Sequence, residues 1–359
     1  MKRSVKVTTK FLTQKKQNAI NALLQSYRSA VNFYIKSLWI TPGKLDKETL
    51  SRLSKDKTRL SERYKSNALK QALEIVISTK KAAKVIKKYV SVPVYNGPLV
   101  LDAKFITIEE GKKSFDLIIK LSSLNKGNRI TIPTRHTKMT RKWLSVGKFI
   151  QGASINEKGI TLWVNVPDQD YKTEGTTLGI DIGYLKMLAT SDNKFYGTEF
   201  STIIKKISRR KPGSKGKLRS IRERENCINR NVNLFFKDNT NTSVIGVEDL
   251  HDMKRGKKPN RSRNFRKTLA SWTYRQVLNR ILCKTQENRI RLVTIDPANT
   301  SRCCPVCNMV SAENRRGEVF KCVACNYTED SDYVGALNIF NRTQRFLGSV
   351  ESPRGTKGN

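Results

Sequence analysis

The chain has 359 residues, 37% of them hydrophobic, which is long enough for two or three domains with cores of their own. Its 70 Lys and Arg outnumber 30 Asp and Glu, giving a formal charge of +40 that is spread along the whole length. A charge that large opposes compaction unless a polyanion neutralises it, so nucleic acid is the natural partner, ahead of a ribosome-associated or membrane-surface role.

Residues 1–12 alternate charged and apolar side chains (Lys2, Arg3, Val5, Lys6, Val7) and read as one strand, without the apolar run of a signal peptide. Residues 13–38 and 61–89 carry helical periodicity, the second with Leu69, Leu73, Val76 and Ala83 among many lysines. Pro93 to Pro98 breaks that pattern. From about 99 to 167, short β-rich runs follow one another at 100–106, 115–119, 130–132, 147–155 and 160–166. This texture predicts a small antiparallel barrel, with the helical block inserted after its first strand. A polar linker covers 168–175. Beyond it the pattern is α/β. Strands are expected at 178–182, 185–190, 194–200, 243–247 and 290–295, a partly helical basic segment at 205–230, and a helix at 270–285. No run approaches 18 uninterrupted apolar residues, so no bilayer span is expected. The tail from Leu347, rich in Gly, Ser, Pro and Lys, is expected to be disordered.

Three acids stand out. Asp181 ends the apolar run Leu178-Gly179-Ile180, and Glu248 ends Val244-Ile245-Gly246-Val247. Asp332 precedes the helix-like run from Gly335 to Phe340, with Asp330 two residues before it as a competing candidate. Carboxylates beside apolar strands are costly unless they bind a metal or pair with a base. Acids at strand and helix ends can converge on one sheet edge, and such a cluster suits two-metal phosphodiester cleavage with oxygen-ligated Mg²⁺. The plainer alternative makes Asp181 a turn residue before Gly183.

Cys304-Pro305-Val306-Cys307 and Cys322-Val323-Ala324-Cys325 form two C-x-x-C pairs separated by 14 residues. Each pair points two thiolates at one ion, so Cys304, Cys307, Cys322 and Cys325 predict one tetrahedral structural Zn²⁺ site, in keeping with a reducing cytoplasm. A redox role for a single C-x-x-C is the competing reading. Cys303 lies outside the pattern. Two basic clusters flank the acids. The first holds Arg209, Arg210, Lys211, Lys215, Lys217 and Arg219, and the second Lys254, Arg255, Lys257, Lys258, Arg261 and Arg263. They are candidate phosphate tracks, although a charge run can also be only a solvated face. Trp272 and Tyr274, which follow the second cluster, read more readily as core than as base-stacking platforms.

Taken together, these pieces resemble TnpB, the transposon-encoded RNA-guided nuclease family related to type V CRISPR effectors. Gly179-Ile180-Asp181-Ile182-Gly183 is similar to its first RuvC motif and Ile245-Gly246-Val247-Glu248-Asp249-Leu250 to its second. Asp296-Pro297-Ala298-Asn299-Thr300-Ser301 leads into Cys304, and the run from Asp330 to Ile339 is similar to the third motif. Tyr64 to Ala72 is similar to a helix of the N-terminal half. Against the family's Asp-Arg-Asp-x-Asn-Ala-Ala, this chain has Ser331, Val334 and Gly335 in place of the Arg, the Asn and an Ala, and Asn326 stands where a Gly often follows the last Cys.

The resemblance implies a multidomain α/β fold with a small β-barrel. Residues 1–12 and 96–172 would form a wedge barrel, and 13–95 an inserted helical recognition lobe. Residues 173–300 and 331–345 would form a RuvC (RNase H-like) nuclease domain, 301–330 an inserted zinc ribbon that binds target nucleic acid, and 346–359 a disordered tail. It implies Asp181, Glu248 and Asp332 as the catalytic acids, the last being the second Asp of Asp-x-Asp. They would hold two Mg²⁺ (or Mn²⁺) ions. It also implies a guide RNA, cleavage of double-stranded DNA next to a short flanking motif, and a place in the prokaryotic cytoplasm at the nucleoid. A compact CRISPR effector, a cleavage-deficient RNA-guided repressor and a DNA-only zinc-ribbon transcription factor are the alternatives. No membrane or small-molecule substrate is expected.

Overall fold

The computed structural model describes residues 1–40, 60–86, 89–111, 114–124, 128–250 and 273–351. The chain divides into two compact units, Met1–Asp168 and Gln169–Asn359. The expected boundary at 172 moves to 168 for a physical reason. The Lys172 N–H donates to the Arg289 carbonyl at 2.7 Å and its ammonium to the Thr240 carbonyl at 2.8 Å, which ties this stretch to the second unit. Among the described residues no helix is long and apolar enough to cross a membrane.

In the first unit, strand β1 (Lys2–Val7) pairs antiparallel with β7 (Gly159–Asn165), which pairs with β6 (Lys148–Asn156), and that with β2 (Leu99–Asp102). The alternation read in β1 places Val5 and Val7 inside and the lysines outside. Strands β3 (Ile106–Glu110), β4 (Leu117–Ser122) and β5 (Arg129–Thr134) form a second antiparallel sheet. The strands therefore lie in two sheets around one core rather than in a single hydrogen-bonded ring. A bulge in β6 between Ile150 and Ala153 frees Gln151 to bridge them. Its amide accepts from the Ile108 N–H at 2.8 Å and donates to the Ile108 carbonyl at 3.2 Å. Helices α1 (Gln14–Ile40) and α2 (Glu62–Ile86) pack together and share one core, to which α1 gives Leu23, Tyr27, Val31 and Tyr34 and α2 gives Tyr64, Ala68, Ala72 and Val76. The short helix α3 (Lys138–Leu144) is capped by Thr137, whose hydroxyl accepts from the Thr140 N–H.

The second unit holds a five-stranded sheet in the order β10-β9-β8-β11-β12. Strands β8 (Thr176–Asp181), β11 (Thr242–Glu248) and β12 (Arg291–Ile295) run parallel; β9 (Leu188–Thr190) and the short β10 (Phe195–Tyr196) add antiparallel pairs. The strand expected to extend to Phe200 stops at Tyr196, because the Phe200 N–H turns back to Gly197 and a helix begins. The basic segment becomes α4 (Phe200–Arg209) and α5 (Lys215–Asp238), and α6 (Tyr274–Asn288) follows β11. Helix α7 (Ser331–Glu351) lies across β8, β9, β11 and β12. Residues 346–351, expected to be disordered, continue this helix; 352–359 lie outside the described residues.

Strand alternation divides this sheet. Ile180, Ile245 and Val247 join the core with α4, α5 and α6, while Val244, Val293 and Ile295 meet Ile339 of α7. On the α7 side Gly179 and Gly246 stand opposite each other in register. A Cβ on Gly179 would collide with backbone atoms of Ala336 and Phe340, and one on Gly246 with Thr343. The glycine pair thus lets α7 settle directly onto the strands, and this close approach positions the acids.

Candidate functional site

Val247 lies opposite Ile180, so the next residues, Glu248 and Asp181, end neighbouring parallel strands. By the same alternation they share the α7 side of the sheet with Gly246 and Gly179. Asp332 is the second residue of α7, and Gly335, one turn on, lies against Asp181: a Cβ there would stand 2.9 Å from Asp181 Oδ2. The sheet ends and the helix start therefore bring Asp181, Glu248 and Asp332 into one electrostatic cluster. Burial, then the Glu248 and Asp332 carboxylates, push Asp181 up to about 8. Burial also raises Glu248, against the pull of a Thr300 hydrogen bond, and raises Asp332, against Arg315.

Carboxylates so buried and crowded are well placed for a divalent cation, whose charge would offset both burial and mutual repulsion. The oxygen donors thus fit Mg²⁺ or Mn²⁺. The three acids do not close as tightly as the cysteines described below. Arg315 occupies one of them, its guanidinium donating to Asp332 Oδ1 at 3.1 Å.

Asp330 has a different task. It ends strand β15 (Thr328–Asp330) and caps α7, its Oδ1 accepting from the N–H groups of Asp332 at 3.0 Å and Tyr333 at 3.1 Å. It is also paired with Lys186. Although burial opposes it, the Lys186 contact holds the Asp330 carboxyl below its ordinary value. An ionised cap committed to a lysine and two backbone donors has little left to offer a metal.

The four cysteines come together from two matching loops. Cys304 N–H donates to Met309 and Asn308 N–H to Cys304 in the first; Cys322 N–H donates to Tyr327 and Asn326 N–H to Cys322 in the second. Asn308 and Asn326, each just after the second Cys of its pair, have φ of 61° and 59°. Asn tolerates that left-handed conformation, so Asn326 fills the place of a Gly without loss of the turn. The ligand atoms of all four cysteines lie within 4.8 Å of one another. Two Sγ–Sγ pairs, Cys304 with Cys325 and Cys307 with Cys322, are 3.6 and 3.5 Å apart. The edge of a tetrahedron with Zn–S bonds of about 2.3 Å is about 3.8 Å. The set therefore fits a closed structural zinc site. Backbone N–H groups of Cys325 and Ala324 draw the Cys322 thiol down to about 6. Asn314, fully buried, donates to the Arg302 and Met309 carbonyls and accepts from the Val323 N–H, bracing both loops. Cys303 stays outside the set, in a bridge with Val310. Strands β13 (Arg315–Arg316) and β14 (Val319–Lys321) complete the ribbon with β15, which runs straight into α7.

Of the basic candidates, Arg209, Lys211, Lys215 and Arg219 are exposed on or between α4 and α5, with Arg210 and Lys217 half-buried. Arg210 is bonded to the Gly216 carbonyl and so closes the α4–α5 turn. Lys254, Arg255, Lys257, Lys258, Arg261 and Arg263, with Trp272, lie outside the described residues. Tyr274 is a core residue, yet its hydroxyl donates to the Glu248 carbonyl at 2.5 Å. Sequence reasoning did not find Lys186, Thr300, Arg315 or Asn338. Thr300 and Asn338 carried a signal, Thr300 through its place in the segment leading to Cys304 and Asn338 through its place in the run from Asp330 to Ile339.

Residues 274–339, from α6 through the ribbon into α7, match the family described as Cas12f1-like, TNB domain. A CRISPR-associated endodeoxyribonuclease Cas12f1 of Sulfoacidibacillus thermotolerans is 40% identical over 72 residues, 20% of this chain and 17% of that protein. A TnpB-like protein of Methanocaldococcus jannaschii is 26% identical over 214 residues, 57% of this chain and 72% of that one. Over these stretches the chain is similar to TnpB-like proteins and to Cas12f1 endodeoxyribonucleases, and it spans only a small part of the Cas12f1 protein's length. In fold alone, the chain is similar to CasPhi-2 (Cas12j), solved bound to crRNA. That structure has a TM-score of 0.52 at 9% identity, with 97% of this chain and 98% of that one covered.

Proposed function

We propose that this protein is an RNA-guided DNA endonuclease of a mobile element, cutting double-stranded DNA next to a short flanking motif. The observation that carries the reading is the convergence of Asp181, Glu248 and Asp332, where β8 and β11 end under the start of α7. These three side chains would hold two Mg²⁺ (or Mn²⁺) ions. Bound there, the ions would activate the attacking water and stabilise the leaving oxygen of the scissile phosphate. The chain's own contribution is to fix the carboxylates: β8 and β11 set the spacing of Asp181 and Glu248, and Asp330 and Lys186 anchor the turn that presents Asp332. Cys304, Cys307, Cys322 and Cys325 would hold one structural Zn²⁺. The ribbon they organise would face target nucleic acid, and Arg209, Lys211, Lys215 and Arg219 would lie on its phosphate track.

The partners are proposed from the likeness to TnpB-like and Cas12f1 proteins: a guide RNA and target double-stranded DNA, in a prokaryotic cytoplasm. The charge of +40 supports the guide, because a polyanion must neutralise it. The intact acid set favours cleavage over a cleavage-deficient repressor. The TnpB-like relative, matched over 72% of its length, favours the mobile-element form. The stronger local identity to Cas12f1 keeps a compact type V CRISPR effector as the second reading.

The deciding experiment is purification at high salt, RNase treatment, and an assay on plasmid carrying a target matched to the co-purified RNA. Cutting is expected to vanish with the RNA and return when it is added back. Undiminished cutting without RNA refutes the guided mechanism.

A further inference from the structure

Thr300 lies in the segment between β12 and the ribbon, 2% exposed, and its hydroxyl donates to Glu248 Oε1. The same hydroxyl is 3.0 Å from the Pro297 carbonyl. One hydroxyl has one proton to give, and a charge-assisted bond to a carboxylate is about twice as strong as a neutral one, so Glu248 takes it. The Pro297 carbonyl keeps the backbone N–H of Thr300 as its turn donor, at 3.4 Å.

Two further contacts make this hydroxyl a fixed point. Asn338 of α7, 5% exposed, sends its amide to the Thr300 and Cys303 carbonyls, both at 2.8 Å. The turn that carries Thr300 is thereby clamped both to the helix bearing Asp332 and to the first cysteine loop. Tyr274 holds the Glu248 main-chain carbonyl, so Glu248 is gripped at backbone and side chain from two different elements.

We infer that Thr300 is a positioning residue, whose hydroxyl holds Glu248 Oε1 so that the second carboxylate oxygen meets the cation. Thr300 acts through Glu248. The inference rests on Glu248 being a metal ligand. Its second consequence is that the zinc ribbon, through Asn338 and this turn, sets the geometry of the acid site as well as its own.

The test uses the guide-loaded protein and three variants, Glu248→Ala, Thr300→Val and Thr300→Ser. Mn²⁺ binding is measured by calorimetry, with Glu248→Ala as the baseline that removes metal held by the RNA. Alongside it, the Mg²⁺ concentration for half-maximal cleavage, the zinc content and the melting temperature are recorded. Loss of a hydrogen-bond partner of a metal ligand weakens metal binding about 10- to 100-fold. Thr300→Val, which keeps the shape and drops the hydroxyl, is expected to fall in that range with zinc content and melting temperature unchanged, and Thr300→Ser to return within about threefold of the parent. If Thr300→Val binds Mn²⁺ like the parent while Glu248→Ala does not, the positioning role is wrong and the acid site stands. If Glu248→Ala itself binds like the parent, the site assignment fails and takes this inference with it. If Thr300→Val loses zinc or stability and Thr300→Ser does not restore metal binding, the hydroxyl is structural only and the inference is overturned.

Discussion

Within one unit the chain builds two clusters of potential metal ligands by opposite means. The cysteines come from two short loops that each fold on themselves, with the same pair of backbone hydrogen bonds and the same left-handed asparagine. The acids come from two strand ends and a helix start spread over 150 residues of sequence, and nothing local brings them together. The soft site is compact, its four sulfurs within 4.8 Å of one another. The hard site is held open, with Arg315 on Asp332 and Thr300 on Glu248. A closed thiolate set suits a structural ion, which needs no vacant position, whereas oxygen ligands that are braced from outside suit ions that must also meet water and phosphate.

The sharpest way to break this contrast is to remove an acid. Asp181→Ala, Glu248→Ala and Asp332→Ala are each expected to lower plasmid cleavage by on the order of a thousandfold, as several kcal/mol of transition-state stabilisation are lost. Guided target binding in a filter or gel-shift assay should stay near the parent value, since phosphate contacts set affinity. A variant that cuts at the parent rate removes that acid from the site. Serine at Cys304 and Cys307 together should instead cost the fold. One zinc per chain by metal analysis is expected in the parent and none in the variant, with residues 303–330 losing protection from protease, because zinc binding is folding free energy in ribbons of this size. Zinc retained, or cleavage unaffected, would show that the two sites are not linked.

Asp330→Ala tests the cap. With the turn loosened and Lys186 left without its partner, cleavage should fall about tenfold, far less than for Asp332→Ala. The reverse order would exchange the roles of the two acids. Titration gives a smaller effect. Folded Asp181 keeps its proton up to about 8, whereas its ordinary value is 3.8. The folded form thus binds more protons between those values, and the stability this confers at acid pH is lost as the pH rises towards 8. In magnesium-free buffer the melting temperature should therefore decline across that range. Asp181→Asn should flatten the decline, and an unchanged slope would mean that Asp181 is not the group responsible. Smallest of all, Lys215→Ala and Arg219→Ala should each reduce the salt dependence of nucleic-acid binding by about one unit of slope while sparing catalysis.

Those differences in scale mirror what could be read before folding. Patterns governed by neighbours were legible. The C-x-x-C pairs marked the four cysteines that come together, because two residues between cysteines close a loop whatever the surroundings. The strands ending at Asp181 and Glu248 were legible because a buried parallel strand reads as an apolar run. The two N-terminal helices matched closely, since a 3.6-residue period needs only the helix itself. Readings failed where a distant partner decided. The β10 strand stopped early, and the tail expected to be disordered from 346 is helical to Glu351, because α7 rests on a sheet whose glycines cannot be assigned to a helix groove without the register of β8 against β11.

The sequence by itself pointed to nucleic acid through its charge, to the four cysteines through their spacing, and to the three acids through the company they keep. Only the tertiary structure decided how those acids are held. Thr300, Arg315, Lys186 and Asn338 are ordinary surface-type residues in sequence. They acquire their roles because a glycine pair admits α7 to the sheet, and because the ribbon delivers Asp330 to the start of that helix. Hydrogen bonds and ion pairs act over about 3 Å in space with no regard for separation along the chain, so no local pattern could have announced which groups they join.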